Sequence, residues 1–398
     1  MIPASTPLVS VPFLPEAVGN TLVLVLSFLL LLAGAEIFTN GVEWLGHRLG
    51  VSESATGSIL AAIGTALPET MIPVIAIVGA YLGTGSQAAA DEVGVGAILG
   101  APFMLATIAM FLVGSSVLYF SDRRTFGGEF HFNDESTRRD LSFFLVGYTL
   151  AFFAALFPAS VRVGGVTVPV ALSIAALLVG LYLVYLVRSL QSGELIEGES
   201  LDALHLGRVI ERGEQPLAGV GFRHEHSSSP TTAVVLAQTV LALAVIVGGA
   251  HLFVEEVQWA AEAIGIPTAV VALLLAPLAT ELPEKFNSVL WISRDKDTLA
   301  IGNITGAMAF QGTLPVTLGI VFTSWNLSLQ WGTTGFLNGL SAILAIASGA
   351  ILYVRARTVR EGNMNPRPFL VGGAFYAVFI AVLLYHVLVV GISVGGAH

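Results

Sequence analysis

The sequence predicts an all-α polytopic membrane protein of about ten transmembrane helices, arranged as two inverted five-helix repeats. Three observations predict it: a very low charge content, apolar stretches that recur from end to end, and one polar motif that occurs twice. Of the 398 residues, 55% are hydrophobic and only 11% charged, and the mean hydropathy is +0.83. A soluble domain carries roughly 25% charged residues. The apolar stretches reach about 20 residues, enough to cross roughly 30 Å of hydrocarbon. There are no cysteines, so neither a disulfide nor a thiolate metal site is available.

In order, the spans fall at 20–46, 53–82, 93–119, 141–158, 167–188, 232–262, 267–293, 299–324, 333–354 and 368–394. The segment Met1 to Asn20 lacks the basic n-region of a cleaved signal peptide, so the first span is expected to be permanent. The longest polar segment divides the chain. Residues 1–188 form the first five-helix repeat, 189–231 a linker loop, and 232–398 the second repeat.

Basic residues set the orientation. With an outside N-terminus, one side collects Arg48, Arg123, Arg124, Arg138, Arg139, Arg188, Arg208, Arg212, Arg223, Arg294, Lys296, Arg355, Arg357, Arg360 and Arg367. The other side collects only Arg162, a strong positive-inside signal. Both termini are therefore expected outside and the central loop in the cytoplasm. That loop holds seven acids against three arginines, which argues against nucleic acid as a partner. The expected partners are the lipid bilayer and small ions.

The internal repeat is the most informative feature. Gly34–Glu69 aligns with Gly249–Glu284 without a gap, pairing Gly34 with Gly249, Phe38 with Phe253, Trp44 with Trp259 and Gly50 with Gly265. The alignment ends in a shared Thr-x-Leu-Pro-Glu core, Thr65 to Glu69 and Thr280 to Glu284. A second block matches Gly96, Gly100 and Ala101 to Gly302, Gly306 and Ala307. The two motif regions cover 53–119 and 267–324. Five spans per half is an odd number, so the halves enter the membrane from opposite sides. Inverted repeats with helices broken at corresponding places point to a transporter with a midplane site.

The chemistry of the motif agrees. Pro68 and Pro283 have no N–H and clash with the carbonyls of Gly64 and Ala279, so each span is expected to unwind near Gly64–Thr65 and Ala279–Thr280. Lipid cannot satisfy the freed carbonyls, whereas an ion or cavity water can. One turn on lies Glu69 or Glu284, near the middle of its span. A carboxylate at that depth normally marks an ion path or proton relay. Two carboxylates with carbonyl and threonine oxygens make a hard, all-oxygen set of the kind calcium takes.

Gly-Thr-Ala-Leu-Pro-Glu at Gly64–Glu69 and Ala-Thr-Glu-Leu-Pro-Glu at Ala279–Glu284 resemble the two alpha repeats of the cation/calcium exchanger superfamily, and so do the glycine blocks Gly96–Ala101 and Gly302–Ala307. The chain is similar to a divergent member with a sodium/calcium exchanger-like fold. The resemblance implies a core of the second, third, seventh and eighth spans, with the first and sixth as long tilted helices that slide across it. It implies Glu69 and Glu284 as central calcium ligands, helped by backbone oxygens of Thr65 and Thr280. It further implies an antiporter rather than an enzyme, in a prokaryotic plasma membrane, without a cofactor, moving calcium against sodium or protons.

The chain departs from the family pattern where coupling ions would bind. The serine expected after each motif threonine is Ala66 or Glu281, the glycine-block serines are Ala101 and Ala307, and the later polar positions are Leu105 and Gln311. Asn303 keeps a family-like side chain while its mate is Ala97. Most oxygen ligands for flanking sodium sites are missing. Glu281 and Lys285 stand four apart, the favoured orientation for a helical ion pair. One reading is that they neutralise one another at the cavity wall. The other is that Lys285 takes the place of a coupling cation. Glu281, Lys285, Gln311, Asn303 and Ala66 are thus the positions that tune which ions bind.

Glu36 and His251 occupy equivalent repeat positions on the first and sixth spans, as do Asn40 and Glu255. They either line an entry pathway or hold the long helices in register. Glu43, Glu256 and Glu262 fall nearer span ends and are expected to be wetted, and Asp295 and Asp297 with Arg294 and Lys296 read as a solvated turn. No His-Glu-x-x-His zinc motif is present. The expected function is a secondary-active antiporter extruding calcium against sodium or protons. The alternatives are a proton-coupled antiporter for another cation and a non-transporting homologue.

Overall fold

The computed structural model describes residues 15–48, 67–83, 85–163, 166–191, 204–206, 230–281, 285, 288–289, 291–325, 327, 329–358 and 363–390. The first five helical positions are α1 (Glu16–Arg48), α2 (Leu67–Leu82), α3 (Ala90–Tyr119), α4 (Asp134–Ala154) and α5 (Val170–Gln191). The second five are α6 (Thr232–Ile264), α7 (Thr268–Thr280), a broken helix made of α8 (Asp297–Gln311) and α9 (Leu314–Phe322), α10 (Thr334–Thr358) and α11 (Leu370–Tyr385). Short strands β1 (Phe130–His131), β2 (Val161–Val163), β3 (Val166–Val168) and β4 (Asn363–Met364) make two small antiparallel pairs, β1 with β4 and β2 with β3. Seven of the described helical runs are long and apolar enough to cross a membrane.

Most boundaries fall within a few residues of expectation, with two differences. The fourth helix starts at Asp134, several residues before the apolar run, because Asn133 caps it by accepting from the Ser136 N–H. The fifth begins after a hairpin, since Val166–Val168 pairs with Val161–Val163 before the helix starts at Val170.

Helices α1 and α6 are 33 residues each and pack along one another. At 1.5 Å per residue each is about 50 Å long, well beyond the roughly 30 Å of hydrocarbon, so both must tilt or protrude. Their crossing shows the pseudo-twofold directly. A Cβ on Gly34 would lie 2.8 Å from Ile246, and one on Gly249 would lie 3.2 Å from the Leu31 backbone N. Leu31 stands three residues before Gly34, as Ile246 does before Gly249, so the same contact is made twice with the roles exchanged.

The third and seventh helices also meet through glycine. Cβ atoms added at Gly96 and Gly100 would lie 2.7 Å from the Ala269 carbonyl and 2.2 Å from the Leu273 carbonyl. Small residues let membrane helices approach backbone to backbone, and this contact holds α7 against the buried run Val95–Met104. The rest of the core runs from α3 through α4, α8, α10 and α11, with Phe103, Met104, Phe144, Tyr148, Ile304, Met308, Leu337 and Phe379 fully enclosed. Large apolar side chains face outward along α1, α5 and α6, among them Leu26, Leu29, Leu177, Leu183, Val240 and Leu241. Such a band suits lipid and no aqueous surface.

The loops on the positive side carry a correction. Asp297 is not in a solvated turn: it is buried, ion-paired with the buried Arg124, and accepts from the His131 N–H at 2.9 Å. Asp295 accepts from the Thr125 N–H and hydroxyl and lies 3.5 Å from Arg124. The acid-rich turn after the seventh span and the basic turn after the third are therefore partners, a pairing invisible when each is read alone.

Gly100→Ala should drive a methyl into the Leu273 carbonyl and cost about 1–3 kcal/mol, as overpacking does. Gly180→Ala meets open space and should cost nothing measurable. Thermal unfolding of both in detergent compares them; equal stability would show that α3 and α7 are not in close contact.

Candidate functional site

Helical structure is interrupted at Glu281 and at Gly312–Thr313, while the first expected break, Gly64–Thr65, lies outside the described residues. The helix Leu67–Leu82 starts directly after the expected first break; Gly64, Thr65 and Ala66 lie outside the described residues. Glu69 sits in its first turn, and Pro73 lacks the N–H that would have bonded the Glu69 carbonyl.

The second interruption comes slightly later than expected. The helix is regular through Thr280, and Glu281 lies in a turn. Pro283 removes only its own N–H, so Ala279 and Thr280 keep theirs and remain helical. The Glu281 N–H still donates to the Pro277 carbonyl at 3.1 Å, and the Lys285 N–H to the Glu281 carbonyl at 3.2 Å. Glu284 lies outside the described residues.

The third interruption was not expected. The eighth span divides at Gly312–Thr313, leaving Gln311 at the end of α8. Its cause is Pro315, which cannot donate to the Gln311 carbonyl four residues back. That Gly-x-x-Pro signal was present in the sequence as Gly312 and Pro315.

These ends bring together Glu69, Thr280, Glu281, Lys285 and Gln311, all buried. Glu69 is 5% exposed and neither of its carboxylate oxygens has a hydrogen-bond partner among the described residues. Thr280 and the Lys285 ammonium are its polar neighbours. Glu281, 1% exposed, is paired: the Lys285 Nζ donates to its Oε2 at 3.0 Å. The same Nζ lies 3.4 Å from the Pro277 carbonyl. Gln311 stands beside Glu281, and one oxygen of each is left without a partner. Asn303, on the same helix as Gln311, is half-buried with an unpartnered Nδ2. Ala101, Ala307 and Leu105 are buried and apolar, so they contribute no side-chain oxygen.

The arrangement separates two carboxylates by role. Glu281 is paired with a tethered ammonium, while Glu69 has no such pairing in a setting where lone charge is costly. What such a site accepts is a cation or a proton.

The polar groups on the long helices fall into separate contacts. Glu36 is exposed and lies 3.8 Å from His205; His251, also exposed, lies 3.8 Å from Glu255. Asn40 is buried, and its Oδ1 accepts from the Gln238 amide at 2.9 Å and from the His205 N–H at 3.1 Å. Gln238 accepts from the Leu206 N–H at 2.7 Å. A short piece of the central segment is thus bonded to both long helices. Glu262 is exposed, as expected. Glu256 corrects the expectation of a wetted position: it is buried on the helix face that meets α1, with one oxygen unpartnered.

Asp140 escaped the sequence reading altogether. It is buried and accepts from Thr305 at 2.9 Å, Tyr185 at 3.2 Å and Arg139 at 3.4 Å, tying α4, α5 and α8 together. Placing the span start at residue 141 left this carboxylate outside the membrane by one position.

A family model described as sodium/calcium exchanger protein matches residues 19–191 and 234–388. An uncharacterized membrane protein of Methanocaldococcus jannaschii is 30% identical over 94 residues, which cover 23% of this chain and 31% of that protein. The aligned part thus spans about a third of that relative's length. Among solved structures, the H+/Ca2+ exchanger CAX superposes with a TM-score of 0.64 at 17% identity, covering 92% of this chain and 82% of that one. The sodium-calcium exchanger NCX_Mj gives 0.53 at 18% identity, covering 91% and 97%. These likenesses establish the fold.

Glu69→Gln removes an unpaired buried charge, so the ion-free protein should be at least as stable as the unmodified one. Glu281→Gln strands the Lys285 ammonium and should lower stability by about 3–5 kcal/mol. Thermal unfolding without divalent cations measures both. Equal losses would mean that Glu69 is as fully paired as Glu281.

Proposed function

The chain belongs to the sodium/calcium exchanger protein family, and from that premise we propose that it is a secondary-active antiporter that extrudes calcium in exchange for sodium or protons. The observation that carries the reading is Glu69: a buried carboxylate, both oxygens unpartnered among the described residues, near the helix ends at Thr280 and Gln311. The sequence repeat supports a like role for Glu284, with Thr65 as the counterpart of Thr280. Inverted repeats around a midplane site are the architecture of alternating access.

Charge supports a divalent cargo. Glu281 is balanced by Lys285, so Glu69 and Glu284 leave two negative charges, which one calcium ion neutralises. Carbonyls freed by Pro73 and Pro315 add neutral oxygens of the kind calcium takes. On the return step two protons or two monovalent cations balance the same charge, which makes the exchange electroneutral. The long helices α1 and α6 meet through Gly34 and Gly249 and through a shared apolar cluster that includes Phe28 against Phe253, so they form one paired unit against the core.

A second reading, a proton-coupled antiporter for another cation, is favoured by the nearness of Lys285 to Glu69. A fixed ammonium there repels a divalent ion more than a monovalent one.

Calcium uptake into proteoliposomes, driven in parallel by outward sodium and outward proton gradients, tests the proposal. Uptake should follow one gradient, be insensitive to an imposed membrane potential, and fall to the level of protein-free vesicles in Glu69→Gln and Glu284→Gln. Full transport by both variants would sink the assignment. Uptake of another cation alone would leave the second reading.

A further inference from the structure

The ammonium of Lys285 is held as a free ion would be. It is 4% exposed, donates to the Glu281 Oε2 at 3.0 Å and lies 3.4 Å from the Pro277 carbonyl. That carbonyl already accepts from the Glu281 N–H at 3.1 Å, so its second lone pair is what the ammonium meets. Glu69 and Glu281 are its acidic neighbours, and Gln311 offers an unpartnered amide oxygen beside Glu281.

We infer that Glu281, the Pro277 carbonyl and Gln311 form a monovalent-cation subsite that the side chain of Lys285 permanently fills. The inference rests on the antiporter reading above and refines it, because a tethered cation cannot be carried across the membrane. A subsite so filled takes no part in coupling, and the exchanger works with one mobile cation fewer than the number of its oxygen-lined positions would allow.

The alternative is that the pair is a structural ion pair with no capacity for a free ion. Geometry argues against this. A structural pair of this kind is ordinarily closed by further donors on the carboxylate, yet the second oxygen of Glu281 has no partner. The Glu281 carboxylate oxygen and the Pro277 carbonyl meet one positive centre, the Gln311 amide oxygen stands unpartnered beside Glu281, and sodium-sized ions take such oxygens in place of an ammonium. Shortening Lys285 removes the charge and leaves the oxygens behind.

The test is sodium binding by the purified full chain in detergent, read as the shift in thermal unfolding between sodium and choline chloride and as direct binding of radioactive sodium. The unmodified protein should show no sodium-specific change at this position. Lys285→Ala should bind additional sodium saturably, with a sodium-specific rise of several degrees that is lost in Lys285→Ala/Glu281→Gln. Recovery of folded Lys285→Ala only when purified in sodium would be the same result read as yield. If that variant folds in neither salt, Lys285→Gln, which keeps a donor for Glu281, takes its place. A sodium response in the replacement no larger than in the unmodified protein overturns the subsite. Calcium flux by the unmodified protein separates the two readings: flux without a sodium gain rejects the subsite alone, while a sodium gain without flux keeps the subsite and rejects antiport.

Discussion

A carboxylate held in the hydrocarbon depth of a membrane without a partner is the constraint on which this structure turns. Charge at that depth is tolerated only where protein, water or an ion balances it, and Glu69 has no donor among the described residues. The seventh and eighth spans are interrupted close to it. Each interruption has a proline near it, and each leaves carbonyl oxygen without its helical donor. Irregular backbone at this depth is possible because it is enclosed by protein and not exposed to lipid.

The enclosure is made by small residues. Gly96 and Gly100 bring α3 against the backbone of α7, which sets Thr280 and Glu281 beside the first half's Glu69. Gly34 and Gly249 do the equivalent for the two long helices. The contrast between these interfaces bears on mechanism. The α3–α7 contact is buttressed by a continuous apolar core and by the Arg124–Asp297 ion pair between the loops. The α1–α6 pair is flanked by lipid-facing apolar side chains and is tied to the central segment through Asn40 and Gln238. The α1–α6 pair has its own apolar cluster, with Phe28 against Phe253.

Within the site, Lys285 changes the electrostatic balance. Glu281 alone beside Glu69 would place like charges together in a medium that screens them poorly. With the ammonium bonded to Glu281, Glu69 is left as the described carboxylate that needs an external ion. Ala101, Ala307 and Leu105, buried and apolar, add no side-chain oxygen of their own.

Hydropathy, the positive-inside count and the duplicated Thr-x-Leu-Pro-Glu core determined the span order, the inverted halves and the candidates Glu69, Glu284, Glu281 and Lys285. Those features are local or periodic, and burial in lipid forces them into the sequence. The i, i+4 pairing of Glu281 with Lys285 was legible for the same reason, since a helix sets its geometry. Only the tertiary structure decided what depends on which helices meet. Asp140 gains its three donors from three different helices, Asp297 pairs with an arginine far away in the chain, and Glu256 is covered because α6 turns that face to α1. Gln311 reaches Glu281 only because Gly312 and Pro315 end its helix there. Whether a membrane carboxylate is paired or left open is set by neighbours from other helices, and no reading of a single span contains them.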